Sequence, residues 1–150
     1  MIQIEKHIII DRPVEEVFAF VNDQRNAPQW QDGLLEVRRT TEGPIGVGTR
    51  HIAVRAFMDQ RIEVINEYIE YEPDRLVRFK STSGPLPFQF AYLTEPVDTG
   101  TLITSAMEMR PEGLPERAEA EIRANLDREM ETDLSKLKAL LESRANAASS

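Results

Sequence analysis

The feature that most constrains this chain is an apolar stripe near its C-terminal end. Leu114, Ala118, Ile122, Leu126, Met130, Leu134, Leu137 and Leu141 recur every three or four residues, the spacing of one face of an α-helix. Pro115 stands near the start. Glu116, Glu119, Glu121 and Asp127 occupy the first half and Lys136, Lys138 and Arg144 the last turns, which suits the helix dipole. The spacing predicts one helix from about Pro115 to Arg144. Residues 145–150 carry no apolar anchor and are expected as a disordered tail. A stripe of this length has to be buried, so the rest of the chain must supply a matching apolar surface.

That surface reads as a sheet. Ile2, Ile4, Ile8 and Ile10 alternate at strand spacing. Ile9 breaks the alternation and suggests cover on both faces there. Pro13 suits the first turn of a helix, and Val14, Val17, Phe18 and Val21 follow at helical spacing, predicting a short helix over Pro13 to Asn22 with Asp11 or Arg12 as its cap. Asp23 to Gly33 is polar and reads as a second helical turn. Strands are then predicted at Leu34–Thr41, Thr49–Met58, Gln60–Tyr71 and Arg75–Ser81, around Phe88, Phe90 and Tyr92, and at Thr101–Met109. The links between them are short, so neighbours pair antiparallel. The fold class is α+β: a curved seven-stranded antiparallel sheet around the long C-terminal helix, with two short helices after the first strand, in one domain spanning 1–144.

Composition narrows the function. The chain has 150 residues and no cysteine, which excludes disulfides, thiolate metal sites and a cysteine nucleophile. Acidic residues outnumber basic ones 26 to 18, a net charge of −8. No general phosphate-binding surface is available, so nucleic acid is not expected as a partner. No apolar run reaches the roughly 20 residues that cross a bilayer, so no membrane insertion is expected, and the alternating N-terminus lacks the pattern of a signal peptide. A cytoplasmic location is expected. His7 and His51 are the only histidines, and their spacing with carboxylates suggests no metal. Gly43, Gly46 and Gly48 precede a strand and lack the ending of a phosphate loop. No cofactor is expected.

Several local signatures occur in a fixed order: Ile8-Ile9-Ile10-Asp11-Arg12-Pro13-Val14-Glu15-Glu16-Val17-Phe18, then Trp30 after a polar segment, Gly46-Val47-Gly48-Thr49, Tyr71-Glu72-Pro73-Asp74-Arg75-Leu76, and Gly100-Thr101-Leu102. With the long final helix they resemble the START-like superfamily (SRPBCC) and its polyketide cyclase/dehydrase-like branch, over about residues 1–143. The resemblance implies the helix-grip fold and a cavity between the concave sheet face and the long helix. It implies no shared catalytic residues, so it carries a fold and a pocket but no reaction.

The candidate lining follows from alternation. Thr49, His51, Ala53, Arg55 and Phe57 share one strand face, as do Phe88, Phe90 and Tyr92, and likewise Thr101, Ser105 and Met107. Large residues mixed with small ones leave space where a curved sheet diverges from a straight helix. Trp30, His51, Arg55, Phe57, Phe88, Phe90, Tyr92, Ser105, Met107, Ile122 and Leu126 are therefore the expected ligand-binding residues, with the mouth near Trp30 and Gly84–Pro87. His51 is a possible acid or base, although a mid-strand histidine is more often a surface or satisfied core residue. Arg55 inside a pocket would hold a carboxylate or polarise a carbonyl. Glu63 and Glu67, about 13 Å apart on a strand, are too far apart to share a proton and read as a solvent face.

The leading functional reading is hydrophobic ligand binding, of a lipid, quinone or polyketide-like molecule, by a monomer or homodimer. A polyketide cyclase or dehydratase using His51, Arg55 or Tyr92, and a protein-interaction module of cochaperone-like or toxin-like kind, are the alternatives.

Overall fold

The computed structural model describes residues 1–57, 59–84, 86–111 and 113–149, without the side chains of 57 and 145–149. Its strands are β1 (Ile2–Ile10), β2 (Leu34–Arg39), β3 (Arg50–Phe57), β4 (Gln60–Glu72), β5 (Leu76–Ser81), β6 (Phe88–Val97) and β7 (Gly100–Met109). The helices are α1 (Val14–Val21) and α2 (Glu116–Ser149), with a 3-10 helix at Gln24–Gln29 between α1 and β2. All strands lie in one antiparallel sheet of order β1-β7-β6-β5-β4-β3-β2. This is the helix-grip architecture expected from the sequence.

Alternation sets the buried face. Ile2, Ile4 and Ile10 of β1 are buried and face α2 together with Ile103, Ser105, Met107 and Met109 of β7. Ile9 is 48% exposed on the outer face, opposite Leu102, so the end of β1 is covered on one side only. Register shifts at Leu34/Glu36 and at Tyr68/Glu70 mark bulges. An extra residue bends its strand and increases the local twist. The second bulge lets Tyr71 join Tyr68 on the core side, where its ring meets Phe18 at 5.7 Å.

The ends of the helices depart from expectation. Pro13 itself is the N-cap of α1, in an extended conformation with no side-chain cap bond, so neither Asp11 nor Arg12 caps it. The Asp11 N–H instead donates to Glu142 of α2. Leu114 precedes α2 and is exposed, so the buried stripe begins further on, at Ile122. The backbone of α2 continues to Ser149, where the tail was expected to be disordered. Ala145, Ala147 and Ala148 extend it because alanine costs least to hold in a helix.

The core is divided. Leu134, Leu137 and Leu141 pack with Ile10, Val17, Phe18, Tyr68 and Phe79 at one end. Ile122, Leu126 and Met130 pack with Ile2, Ile4, Met107 and Met109 at the other. Phe88 and Phe90 touch both clusters without being fully buried. The seam between the two halves is where space remains.

Candidate functional site

An aromatic row crosses the seam. Tyr68 stacks on Phe79 at 5.8 Å, Phe79 on Phe90 at 5.7 Å, Phe90 meets Tyr92 at 5.0 Å, and Tyr92 meets Trp30 at 5.8 Å. The inward alternation of β4, β5 and β6 creates the row, and the 3-10 helix brings Trp30 across it. Two small cavities flank it, of about 70 Å³ and about 30 Å³. Trp30, Gln31, Arg55, Phe90, Tyr92 and Met107 line both. The larger also meets Leu34, Ala53, Val64, Asn66 and Phe88, and the smaller Ser105, Leu126, Glu129, Met130 and Asp133.

Of the expected lining residues, Trp30, Arg55, Phe88, Phe90, Tyr92, Ser105, Met107 and Leu126 border one or both cavities. Ile122 lies in the core cluster near Ile2, away from them. The side chain of Phe57 lies outside the described residues. His51 is fully buried but borders neither cavity. It packs on Tyr68 at 5.4 Å between ring centroids, and neither ring nitrogen has a hydrogen-bond partner among the described residues. Burial holds its pKa down at about 4, so the ring is neutral near pH 7. Gly84 of the expected mouth lies against Val64, Leu86 packs on the Ile122 core cluster, and Pro85 is outside the described residues.

The polar wall lies on one side. Gln31 Nε2 donates to the Tyr92 hydroxyl at 3.0 Å. Arg55 Nη2 donates to Glu129 Oε1 at 3.1 Å, joining β3 to α2. Gly33 makes room for this pair: a Cβ there would stand 2.7 Å from Glu129 Oε1 and 3.3 Å from Arg55 Nη2. Burial, and then the neighbouring Glu129, push the Asp133 carboxyl up to about 7. Burial also drives the Tyr92 hydroxyl well above the ordinary phenol range. Two buried donors of this wall, Trp30 Nε1 and Arg55 Nε, have no acceptor among the described residues.

Sequence reasoning did not single out Gln31, Glu129 or Asp133. The two acids look like ordinary charges on an acidic helix. Their signal was register: Glu129 is three residues after Leu126, and Asp133 three after Met130, so both border the buried stripe. Among the described residues, no cluster of three or more His, Asp or Glu is placed to hold a metal ion, and no helix is long and apolar enough to cross a membrane.

A curved sheet closed on one long helix, with aromatic and polar groups meeting in a buried gap, defines a helix-grip domain. The match to the family model described as polyketide cyclase/dehydrase and lipid transport covers residues 1–142, and the chain belongs to that family. No curated protein matches the chain at a significant level. Among solved structures, TTHA0849 from Thermus thermophilus is similar with a TM-score of 0.80 at 18% identity, over 99% of both chains. The Zhui aromatase/cyclase from a Streptomyces species is similar at 0.81 and 15% identity, over 97% of this chain and 96% of that one. The di-domain aromatase/cyclase StfQ of the steffimycin biosynthetic pathway is similar at 0.78 and 14%, over 97% of this chain and 52% of that one. At these identities the likeness is one of fold.

Proposed function

We propose that this protein binds a small, largely apolar, ring-containing molecule at the seam between sheet and helix. The observation that carries this reading is that both cavities share one wall in which Trp30, Phe90, Tyr92 and Met107 stand beside Gln31 and Arg55. An apolar surround with a few placed polar groups is the usual make-up of a small-molecule site. The cavities are far below the roughly 300–1,000 Å³ of drug-sized pockets. They are also below the roughly 150 Å³ of an engineered cavity that holds benzene, so a ring enters only as side chains of the aromatic row move aside. The protein acts in the cytoplasm, as a monomer or homodimer, and leaves nucleic acid alone.

Thermal-shift screening against quinones, fatty acids and aromatic polyketides tests this. A ligand at about 100 times its dissociation constant stabilises the folded state by roughly 2.7 kcal/mol. Absence of any shift across the panel overturns the reading.

A second reading, cyclase or dehydratase chemistry, is favoured by one observation. Asp133, with its pKa near 7, shares the smaller cavity with Arg55 and Tyr92. A carboxyl poised near the working pH can give and take a proton, and Arg55 can polarise a carbonyl. Loss of turnover in Asp133→Asn with ligand binding retained would favour it over simple carriage. The interaction-module reading is the weaker one. Among the described residues, the large exposed apolar ones, Met1, Ile9, Leu35, Val47 and Leu114, sit on separate segments of the chain.

A further inference from the structure

The charges at the seam carry information about the ligand beyond its being apolar. Arg55 is the only cationic residue bordering either cavity among the described residues, and Glu129 already engages it. Asp133 borders the same cavity and makes no ion pair or hydrogen bond among the described residues. Lys136, one turn further along α2, is drawn outward by Asp32. An entering carboxylate would meet two acids and one neutralised cation, and its desolvation would go uncompensated. The donors point to the opposite preference. Trp30 is 2% exposed, and its Nε1–H, like the Nε–H of Arg55, is buried with no acceptor among the described residues. Buried donors left without partners are uncommon and carry the desolvation cost of an unmade bond. The Tyr92 hydroxyl accepts from Gln31 and has its own proton left to give.

We propose, resting on the binding reading above, that this site selects its ligand by charge: it takes a neutral ring bearing a carbonyl oxygen, held by Trp30 Nε1–H and Arg55 Nε–H, and rejects the same ring bearing a carboxylate. A carbonyl oxygen offers two lone pairs and no charge, so it satisfies both donors without facing Glu129 and Asp133 as an anion. The groups that set the charge facing Asp133 are Glu129 and Lys136 on α2, Arg55 on β3, and Asp32 after the 3-10 helix. Protonation of Asp133 removes one of the two repelling charges. Discrimination against the carboxylate is therefore strongest above pH 7 and relaxes below it.

The test uses three probes of similar size on the intact protein: acetophenone, benzoate and ethylbenzene, titrated by ligand-observed NMR at pH 8 and pH 6. Acetophenone is expected to bind at least about tenfold more tightly than benzoate at pH 8, with the gap narrowing at pH 6. Trp30→Phe should lower acetophenone binding relative to ethylbenzene in the same variant, a ratio that a general loss of packing would not move. Glu129→Gln, which keeps the shape of the wall, should raise benzoate binding. Benzoate binding as tightly as acetophenone at pH 8, or an unchanged acetophenone-to-ethylbenzene ratio in Trp30→Phe, overturns the charge selection while leaving the cavity reading intact. Failure of all three probes, ethylbenzene included, overturns the cavity reading and the selection with it.

Discussion

Arg55 on β3 reaches Glu129 on α2, 74 residues further along the chain, and donates to it at 3.1 Å. Their side chains are 23% and 29% exposed, so the pair lies between a surface ion pair, worth about 0–1 kcal/mol, and a buried one, where removing one partner costs about 3–5 kcal/mol. A double-mutant cycle with Arg55→Met and Glu129→Gln should return a coupling of about 1–2 kcal/mol in urea unfolding. A coupling below about 0.3 kcal/mol would mean that water already screens the pair.

Gly33 controls that contact from outside it. Alanine at this position would press its Cβ against the carboxylate end of Glu129 and the guanidinium of Arg55. Both are ends of flexible side chains that can swing aside, and the one backbone neighbour, the Ala56 carbonyl oxygen at 3.3 Å, has to give by only a few tenths of an ångström. Gly33→Ala is expected to cost no more than about 1 kcal/mol while abolishing most of the Arg55–Glu129 coupling in the same cycle. An unchanged coupling would show that the pair accommodates the methyl group in place.

Gly100 is a different case. A Cβ there would lie 2.1 Å from the carbonyl oxygen of Ile10 and 2.9 Å from the Cα of Asp11. Backbone atoms cannot step aside as side-chain ends do, so β7 would have to move off β1. Gly100→Ala should destabilise by more than about 3 kcal/mol. A loss under about 1 kcal/mol would show that the hairpin turn can slide.

His51 and Asp133 should give opposite pH dependences. His51 titrates at about 4 when folded against its ordinary 6.5. Between those values only the unfolded chain takes up the proton, so this contribution is complete above pH 6.5 and falls by up to about 3 kcal/mol as the pH drops to 4. Asp133 titrates at about 7 when folded against 3.8 ordinarily. Here only the folded chain holds the proton, so its contribution is complete below pH 3.8 and is lost as the pH rises through 7. The two slopes offset each other from about pH 4 to 6.5. Urea midpoints across that range should fall on acidification in Asp133→Asn and rise on acidification in His51→Asn. Identical slopes in both variants would refute the assignment.

The fold was legible because both of its periodicities are strong. Alternation in β3, β6 and β7 placed Arg55, Phe90, Tyr92, Ser105 and Met107 on one inward face, and the step from Ile122 to Leu141 placed the helix. Leu114 misled because the stripe's spacing continues across a helix start that the residue itself precedes. His51 shared a face with Arg55 yet lies off the cavity. Alternation names a face; it cannot say how far along that face the space opens. Asp133 was hidden because a carboxylate beside a buried stripe and one facing water are spelled alike. The filling of the seam was hidden too, since Trp30 comes from a connecting segment whose path no periodicity describes.

The placement of β1 has a consequence in time. β1 is made first and pairs last: its partner is β7, with Ile2 opposite Met109, and α2 then fastens it through Asp127 on Lys6 and Lys138 on the Ile9 carbonyl. At the roughly 5–20 residues per second of synthesis, a strand of isoleucines waits on the order of five to twenty seconds for its neighbour. During that interval it is an apolar ribbon with both edges bare, open to pairing with any other nascent chain. A chain released before Met109 would carry that ribbon permanently and would be a substrate for chaperones and proteases, and synthesis past Met109 would close one of the two edges but leave the isoleucines uncovered until the helix is made.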